Sequence, residues 1–303
     1  MLAVSTSFLA APAITAETII SKVQTLGASA VELDYRLNSG TVDKLTPLLR
    51  QAGISINSVH NYFPIPAEMP DSKGSGDLFL LSSLDEDHRK TAVEYTRRTI
   101  RAASDLGARA VVLHCGRVEM DEERDRIYDF INASQMDSAE ARSLMHRKLA
   151  ERERLKTPYV NQLIKSLEVL SESARGANIT LGLENRYHYH ELPGPLEFPV
   201  LFRTLDGAPL GYWHDTGHAH MLALLGVASA ESVLEQNADR LVGAHLHDAS
   251  GRRDHLPPGR GEIDFHHLWP YLTPKVIKVM ELRPRTPVEE AAEGFAFLKA
   301  LET

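Results

Sequence analysis

The stretch "LGYWHDT" (residues 210–216), continued by "GHAH" (217–220), is where the fold of this chain is decided. Its apolar residues Leu210, Tyr212 and Trp213 read as a buried strand. The polar cluster His214, Asp215, His218 and His220 begins where that strand runs out. A short apolar run that ends on an acid is one strand of a parallel sheet, with chemistry gathered at its C-terminal end. Whether the histidines and the aspartate make a metal site or a polar loop depends on how the other strands end.

The same unit recurs along the chain. "LAVSTS" (2–7), "SAVELDY" (29–35), "ISINSVH" (54–60), "RAVVLHCG" (109–116), "ITLGLEN" (179–185), "LVGAHLHD" (241–248) and "VIKVMELR" (276–283) are further β-rich runs. Segments with helical spacing, such as "TVDKLTPLLRQAG" (41–53) and "HRKTAVEYTRRTIRAASDLG" (88–107), fill nearly every gap. Eight such strands alternating with helices in 303 residues predict an α/β fold, a (β/α)8 TIM barrel, with residues 1–303 as a single domain. A doubly wound open sheet is the alternative, but "STSFLAAP" after the first strand lacks the glycine-rich loop usual there. Two segments are longer than a plain barrel needs. One is the Pro/Gly/Ser-rich loop "NYFPIPAEMPDSKGSGDLFLLSSLDED" (61–87) after strand three, and the other a long, charged helical insertion (117–157) after strand four. Both leave the C-terminal ends of strands, where barrel active sites sit, and read either as lids or as solvated excursions.

Bulk properties narrow the function. The formal net charge of −8 argues against an extended nucleic-acid surface, so a small-molecule substrate is expected and no nucleic-acid partner. The one cysteine, Cys115, rules out an intramolecular disulfide and fits a reducing, cytoplasmic compartment. The N-terminus has no basic residue before Lys22, which favours a strand and helix there over a signal peptide. No apolar run approaches the ~20 residues of a membrane span, so no membrane partner is expected. Oligomerisation is left open.

The ends of the later strands answer the opening question. Strand three ends in His60, strand four in His114, strand five in Glu184, strand six in Asp215, strand seven in His245 and strand eight in Glu281. One strand-end histidine is ordinarily a hydrogen-bonded core group. Six successive ligand-type residues that converge on one barrel mouth predict a divalent-metal site. His214 precedes Asp215 and points to the opposite side of its strand. With His220 and His247 it takes a structural or supporting reading. His188 and His190 lie in the loop after strand five and read equally as substrate contacts or surface.

The pieces "LGLEN", "HDTGH", "HLHD", "PPGRGEIDF" and "MELR", in this order, resemble the xylose isomerase-like TIM-barrel superfamily, over nearly the whole chain. That group includes sugar and sugar-phosphate isomerases and epimerases as well as endonuclease IV. The resemblance implies one divalent ion (Zn, Mn, Co or Mg) held by Glu184, Asp215, His245 and Glu281, with Glu184 and Glu281 as the catalytic acid/base pair. The endonuclease IV branch implies additional metal or substrate ligands at His60, His114, His218 and His255, enough for a second ion. A further aspartate of that branch is replaced here by Arg253, with Asp254 one position off. Arg186, Arg253 and Arg283 are the candidate substrate-binding residues, since they would place positive charge beside the metal and suit an anionic substrate.

Three functions compete. The leading one is a metal-dependent isomerase or epimerase acting on a sugar, sugar phosphate or related polyol through an enediolate. The alternative is an endonuclease IV-like metal phosphodiesterase acting on a small-molecule phosphodiester, for example in cobamide remodelling, rather than on DNA. The third is a non-catalytic sugar-binding barrel, which a complete ligand set disfavours.

Overall fold

In the computed structural model, which describes residues 1–9, 14–70 and 73–302, the β-rich runs fold as parallel strands of a closed barrel. They are β1 (Leu2–Ser5), β2 (Ala30–Leu33), β3 (Ser55–His60), β4 (Ala110–Leu113), β5 (Thr180–Glu184), β6 (Leu210–Asp215), β7 (Leu241–Leu246) and, after a small hairpin, β10 (Ile277–Met280). The order round the barrel is β1-β10-β7-β6-β5-β4-β3-β2. The barrel interior is closed by small residues packed around one large one. Trp213 of β6 is fully buried with Ala3, Ala30, Ala110, Val112 and Val279. Its ring requires the glycines of the neighbouring strands. A Cβ on Gly182 would lie 2.8 Å from Trp213, and one on Gly243 only 2.1 Å from it.

Helices coat the outside. α1 (Ala16–Thr25) buries Ile19 and Val23, and α2 (Ser39–Gln51) buries Val42, Leu45 and Leu49, a stripe at helical spacing that packs on the strands. α3 (Glu86–Asp105) starts at Asp85, whose carboxylate accepts from the backbone N–H groups of Asp87 and His88. No helix of the described residues is long and apolar enough to cross a membrane.

The long helical segment expected after β4 is present, but its bounds differ. Instead of an insertion ending at residue 157 and a separate barrel helix, a short α4 (Arg124–Asn132) leads into one continuous helix, α5 (Ala139–Ala177), with Pro158 inside it. The buried positions explain the continuity. Ala141, Leu144, Met145, Lys148, Arg152, Tyr159, Leu163, Leu167, Leu170 and Ala174 form one stripe at three- and four-residue spacing. Lys148 and Arg152 disguise it in the sequence because both are charged yet buried. Arg152 is held by Glu197 at 2.8 and 3.0 Å and by the carbonyl of Glu191 at 3.0 Å. Lys156 adds a 2.9 Å contact to Glu197, the first residue of α6 (Glu197–Thr204). The rest of the wall is α7 (Thr216–Leu224), α8 (Ala230–Gln236), α9 (Phe265–Leu268) and α10 (Val288–Ala300).

After β7 the chain forms a small antiparallel hairpin, β8 (Asp248–Ser250) and β9 (Arg253–Leu256). Gly251 turns it, at φ +53°.

Burial opposes ionisation of Glu197, but Arg152 and Lys156 hold its carboxyl at about 2, below its ordinary 4.5. Because the folded value is depressed, this contribution is complete above the unfolded value of 4.5 and is lost as pH falls through about 2. Glu197→Gln should therefore destabilise the protein by about 3 kcal/mol near neutral pH, the scale for breaking a buried ion pair. Urea denaturation at a series of pH values checks this: the gap between wild type and variant should close as pH falls from 4.5 towards 2.

Candidate metal centre

The four residues from the last four barrel strands meet at one point. One ligand atom each from Glu184, Asp215, His245 and Glu281 lie within 4.8 Å of one another, and all four residues are buried. His245 Nδ1 lies 2.7 Å from Glu184 Oε1, 3.0 Å from Glu281 Oε2 and 3.7 Å from Asp215 Oδ2. Asp215 also caps α7, accepting from the backbone N–H of His218 at 2.7 Å, so the start of that helix fixes the carboxylate. Asn185 clamps β5 to β6 here: its Oδ1 accepts from the N–H of Asp215 at 2.7 Å, and its Nδ2 donates to the Asp215 carbonyl at 2.9 Å.

Glu184 faces two ways. Its Oε1 belongs to the group around His245, and its Oε2 faces His114 Nε2 at 2.7 Å and His60 Nε2 at 3.8 Å. His60, His114 and Glu184 form a second compact donor group. Among the described residues this buried anionic oxygen has no hydrogen-bond partner. Such an oxygen, next to two imidazole nitrogens, fits a divalent cation.

The histidines share a second feature. Each is tied at one ring nitrogen to an acceptor, which leaves the other nitrogen for the mouth. His60 Nδ1 donates to the carbonyl of Asn61 at 2.9 Å, and His218 Nδ1 to that of Asn185 at 2.9 Å. His114 Nδ1 donates to Asp77 at 2.9 Å, His255 Nδ1 faces Asp254 at 3.1 Å, and His245 Nε2 donates to Glu32 at 3.0 Å. This arrangement fixes the tautomer of a metal-binding imidazole. His247 is the reverse case. Its Nδ1 accepts the backbone N–H of His255 at 2.8 Å, so its proton is on Nε2, which donates to both oxygens of Asp215 at 3.0 Å. Both nitrogens are used, so His247 orients Asp215 although Asp215, His247 and His255 also lie close together.

The hairpin brings His255 to the mouth. Its φ of +52° turns the chain so that the ring stacks on His247 at 4.0 Å and meets His218 edge-on at 6.1 Å. The loop after β3 covers the other side, although residues 71–72 of it lie outside the described residues. Gly76 passes so close to the two rings that a Cβ there would stand 2.7 Å from His60 Cε1 and 2.8 Å from His114 Nδ1.

The arginines divide. Arg283 lines a cavity of about 240 Å³ at the mouth, with Arg36, Tyr35, Ser7 and the donor histidines. Arg36 is fixed by Asp34 at 2.8 Å and lies over the Tyr35 ring at 4.4 Å. Arg186, expected at the substrate, is buried between Asp77 and Glu191, both at 2.9 Å, because those carboxylates need its charge. Arg253 is exposed on the hairpin and does not line the cavity. His214 turns away, its Nδ1 2.8 Å from the Tyr212 hydroxyl, and burial holds it down to about 4. His190 faces Glu122 at 3.1 Å, His188 stacks on His190, and His220 contacts the Gly251 carbonyl at 3.1 Å. Three supporting residues, Glu32, Asp77 and Asn185, went unread in the sequence. Glu32 alone carried a signal there, as a charge inside the apolar run "SAVELDY".

Electrostatics keeps the carboxylates ionised. Burial opposes ionisation of Glu184, but His245 and His114 hold it well below the usual carboxylate range. Burial opposes that of Glu281 likewise, and His245 and His255 hold it down. Asp215 is held down, against burial, by His218 and His247. Burial works against protonation of His245, but the surrounding carboxylates of Glu281, Glu32 and Glu184 push it well above its ordinary value.

Comparison with known proteins agrees with this architecture. The solved structure of L-ribulose 3-epimerase superposes with a TM-score of 0.71 at 16% identity, covering 99% of this chain and 93% of the other. That of 3-keto-D-glucoside 4-epimerase, YcjR, from E. coli gives 0.68 at 16% identity, covering 99% and 98%. A D-allulose 3-epimerase from Methylomonas sp., solved with D-allulose, gives 0.66 at 14% identity, covering 99% and 96%. At these identities the likeness is one of fold. An uncharacterised protein, y4fM, from Sinorhizobium fredii is 24% identical over 245 residues, 76% of this chain, and the match spans 66% of that relative's length. The family model described as "xylose isomerase-like TIM barrel" matches residues 20–301, and the chain belongs to that family.

Proposed function

We propose that the protein is a divalent-metal-dependent isomerase or epimerase of a small sugar, sugar phosphate or related polyol. One observation carries this reading: Glu184 and Glu281, both held ionised, meet at Nδ1 of His245, 2.7 and 3.0 Å from it, and both line the cavity at the mouth. The family's solved epimerases share the fold, and one holds a ketose. Glu184, Asp215, His245 and Glu281 would hold the ion, and imidazole among them favours a transition metal such as Mn, Co or Zn over Mg. When bound, the ion would polarise a carbonyl and the hydroxyl beside it and so ease enediolate formation.

The chain's own residues supply the rest. One ionised glutamate accepts the proton from the carbon next to the carbonyl and passes it to water, while the other takes up a proton from water and delivers it to the neighbouring carbon or to the opposite face of the same carbon. His218 presents Nε2 to the same cavity as a hydrogen-bond partner for a substrate oxygen. Arg36 and Arg283 put two guanidinium groups on the rim, which suits a substrate with a phosphate or carboxylate at one end. The cavity of about 240 Å³ has room for a molecule of monosaccharide size.

A second reading is favoured by the second donor group. His60, His114 and Glu184 would hold a second ion near the first, and two ions would activate water and stabilise the leaving oxygen in hydrolysis of a small phosphodiester.

Two measurements test these readings. Metal-loaded protein should exchange the substrate's α-carbon hydrogen with D2O, followed by NMR over a panel of ketoses and ketose phosphates. Chelation should abolish the exchange, and Glu281→Gln should slow it by about 10²–10⁴-fold. Absence of exchange across the panel would count against isomerisation. Elemental analysis of protein purified without chelator decides the second reading. About two ions per chain, falling to about one in His114→Ala, together with cleavage of bis(p-nitrophenyl) phosphate, supports the hydrolase. One ion in both proteins removes it.

A further inference from the structure

We propose that Glu32 is a positioning residue of the metal centre: it holds His245 from across the barrel so that Nδ1 faces the ion with its lone pair. Glu32 comes from β2 and His245 from β7, strands that are not neighbours in the barrel. The carboxylate therefore reaches through the interior. Its Oε1 and Oε2 lie 3.0 and 3.2 Å from His245 Nε2, and Oε2 also accepts from the Ser58 hydroxyl at 2.8 Å. Glu32, Ser58 and His245 are each 0% exposed.

A carboxylate this deeply buried costs several kcal/mol unless its partners compensate it. Nothing in the folding of the barrel requires one, since the layer below is closed by alanines, valines and Trp213. Its position is explained by what it does to the ring. Donation from Nε2 to Glu32 places the proton there and leaves Nδ1 unprotonated in the neutral imidazole, on the side where Glu184, Asp215 and Glu281 converge. The negative charge behind the ring also raises the basicity of Nδ1 and strengthens its bond to a cation. The ring has little room to turn. Trp213 meets it edge-on at 5.2 Å, and His60 stacks parallel to it at 5.9 Å. Glu32 thus sets the proton and Ser58 sets Glu32, while the two rings set the plane.

The assignment rests on the metal reading above, though not on which reaction the metal serves. Its test is the affinity of apoprotein for Co2+, read by competition with a chromophoric chelator and by the visible d–d spectrum. Thermal unfolding of each apoprotein serves as the control for folding. Glu32→Gln keeps the shape and an acceptor oxygen but removes the charge. It should weaken Co2+ binding by about 10–100-fold and alter the d–d bands. Ser58→Ala, which frees Glu32 to shift, should weaken binding by a smaller factor, about 3–10-fold. It carries the test if Glu32→Gln does not fold. A folded Glu32→Gln with wild-type affinity and spectrum overturns the assignment, as does unchanged binding in Ser58→Ala when that variant stands alone. Failure of wild type itself to take up Co2+ is a different result: it overturns the metal reading, and this assignment with it.

Discussion

The rest of the site depends on a concentration of negative charge that the fold has to tolerate. Glu32, Glu184, Asp215 and Glu281 all lie against His245, and none is more than 6% exposed. In a medium of low dielectric such carboxylates repel one another, and each loses the hydration it has in water. The chain offsets this in three ways. The backbone N–H of His218, at the start of α7, stabilises the Asp215 carboxylate. Imidazoles stand between the carboxylates, so that each acid meets at least one histidine. The geometry also leaves a gap into which ligand atoms from four strands point, where a cation would remove most of the remaining repulsion.

The strands and the loops share this work unequally. Strands deliver the inner ligands, because closed-barrel pairing fixes where each strand ends and rotamers do the rest. β6 and β7 are in register so that Asp215 lies beside His245, which places carboxylate and imidazole together before any side chain is chosen. The loops deliver the residues that hold histidines in place. Asp77 comes from the loop after β3, and it ties His114 and Arg186 together. Asp254 and the His255 backbone come from the hairpin, and they act on His255 and His247. The loop after β3 is therefore part of the centre, and Gly76 is there because no side chain fits between it and the two imidazoles.

Most of the barrel was legible in the sequence because a strand buried on both faces leaves a short apolar run, and the six later runs ended on a residue that apolar surroundings would not choose. Strands from Leu2 to Met280 were read this way. The continuity of helix α5 was not, because Lys148 and Arg152 interrupt its apolar stripe with buried charges, and the partner of Arg152, Glu197, lies far along the chain. The inner ligands Glu184, Asp215, His245 and Glu281 could be picked out because each ends a strand. Glu32 was passed over because it lies one strand earlier than the series begins, and Asp77 because nothing local marks a loop aspartate as the partner of a histidine 37 residues on. The arginines divided for a related reason. Charge near a site shows in sequence, but whether a guanidinium lines the cavity, as Arg283 does, or is held by two of the chain's own carboxylates, as Arg186 is, is decided by tertiary pairing.

The two functional readings meet on one atom, Oε2 of Glu184. A carboxylate oxygen that bridges to a second cation has its lone pairs committed and its basicity lowered, so it is a poor acceptor for a substrate proton. A carboxylate that serves as general base needs that oxygen free at the moment of transfer. The histidines bear directly on this choice. His60 and His114 aim their Nε2 atoms at Oε2, each from a ring tied at Nδ1 by an acceptor: the Asn61 carbonyl in one case and Asp77 in the other. Were an ion held there, Glu184 would serve both donor groups, and Glu281, which faces His245 and His255, would be the cavity carboxylate outside the second group. Without that ion, Oε2 is left for the substrate proton, with His114 Nε2 2.7 Å and His60 Nε2 3.8 Å from it. The fold is the same in both cases. The difference between an isomerase and a hydrolase on this barrel then comes down to whether two histidines behind one glutamate hold a metal.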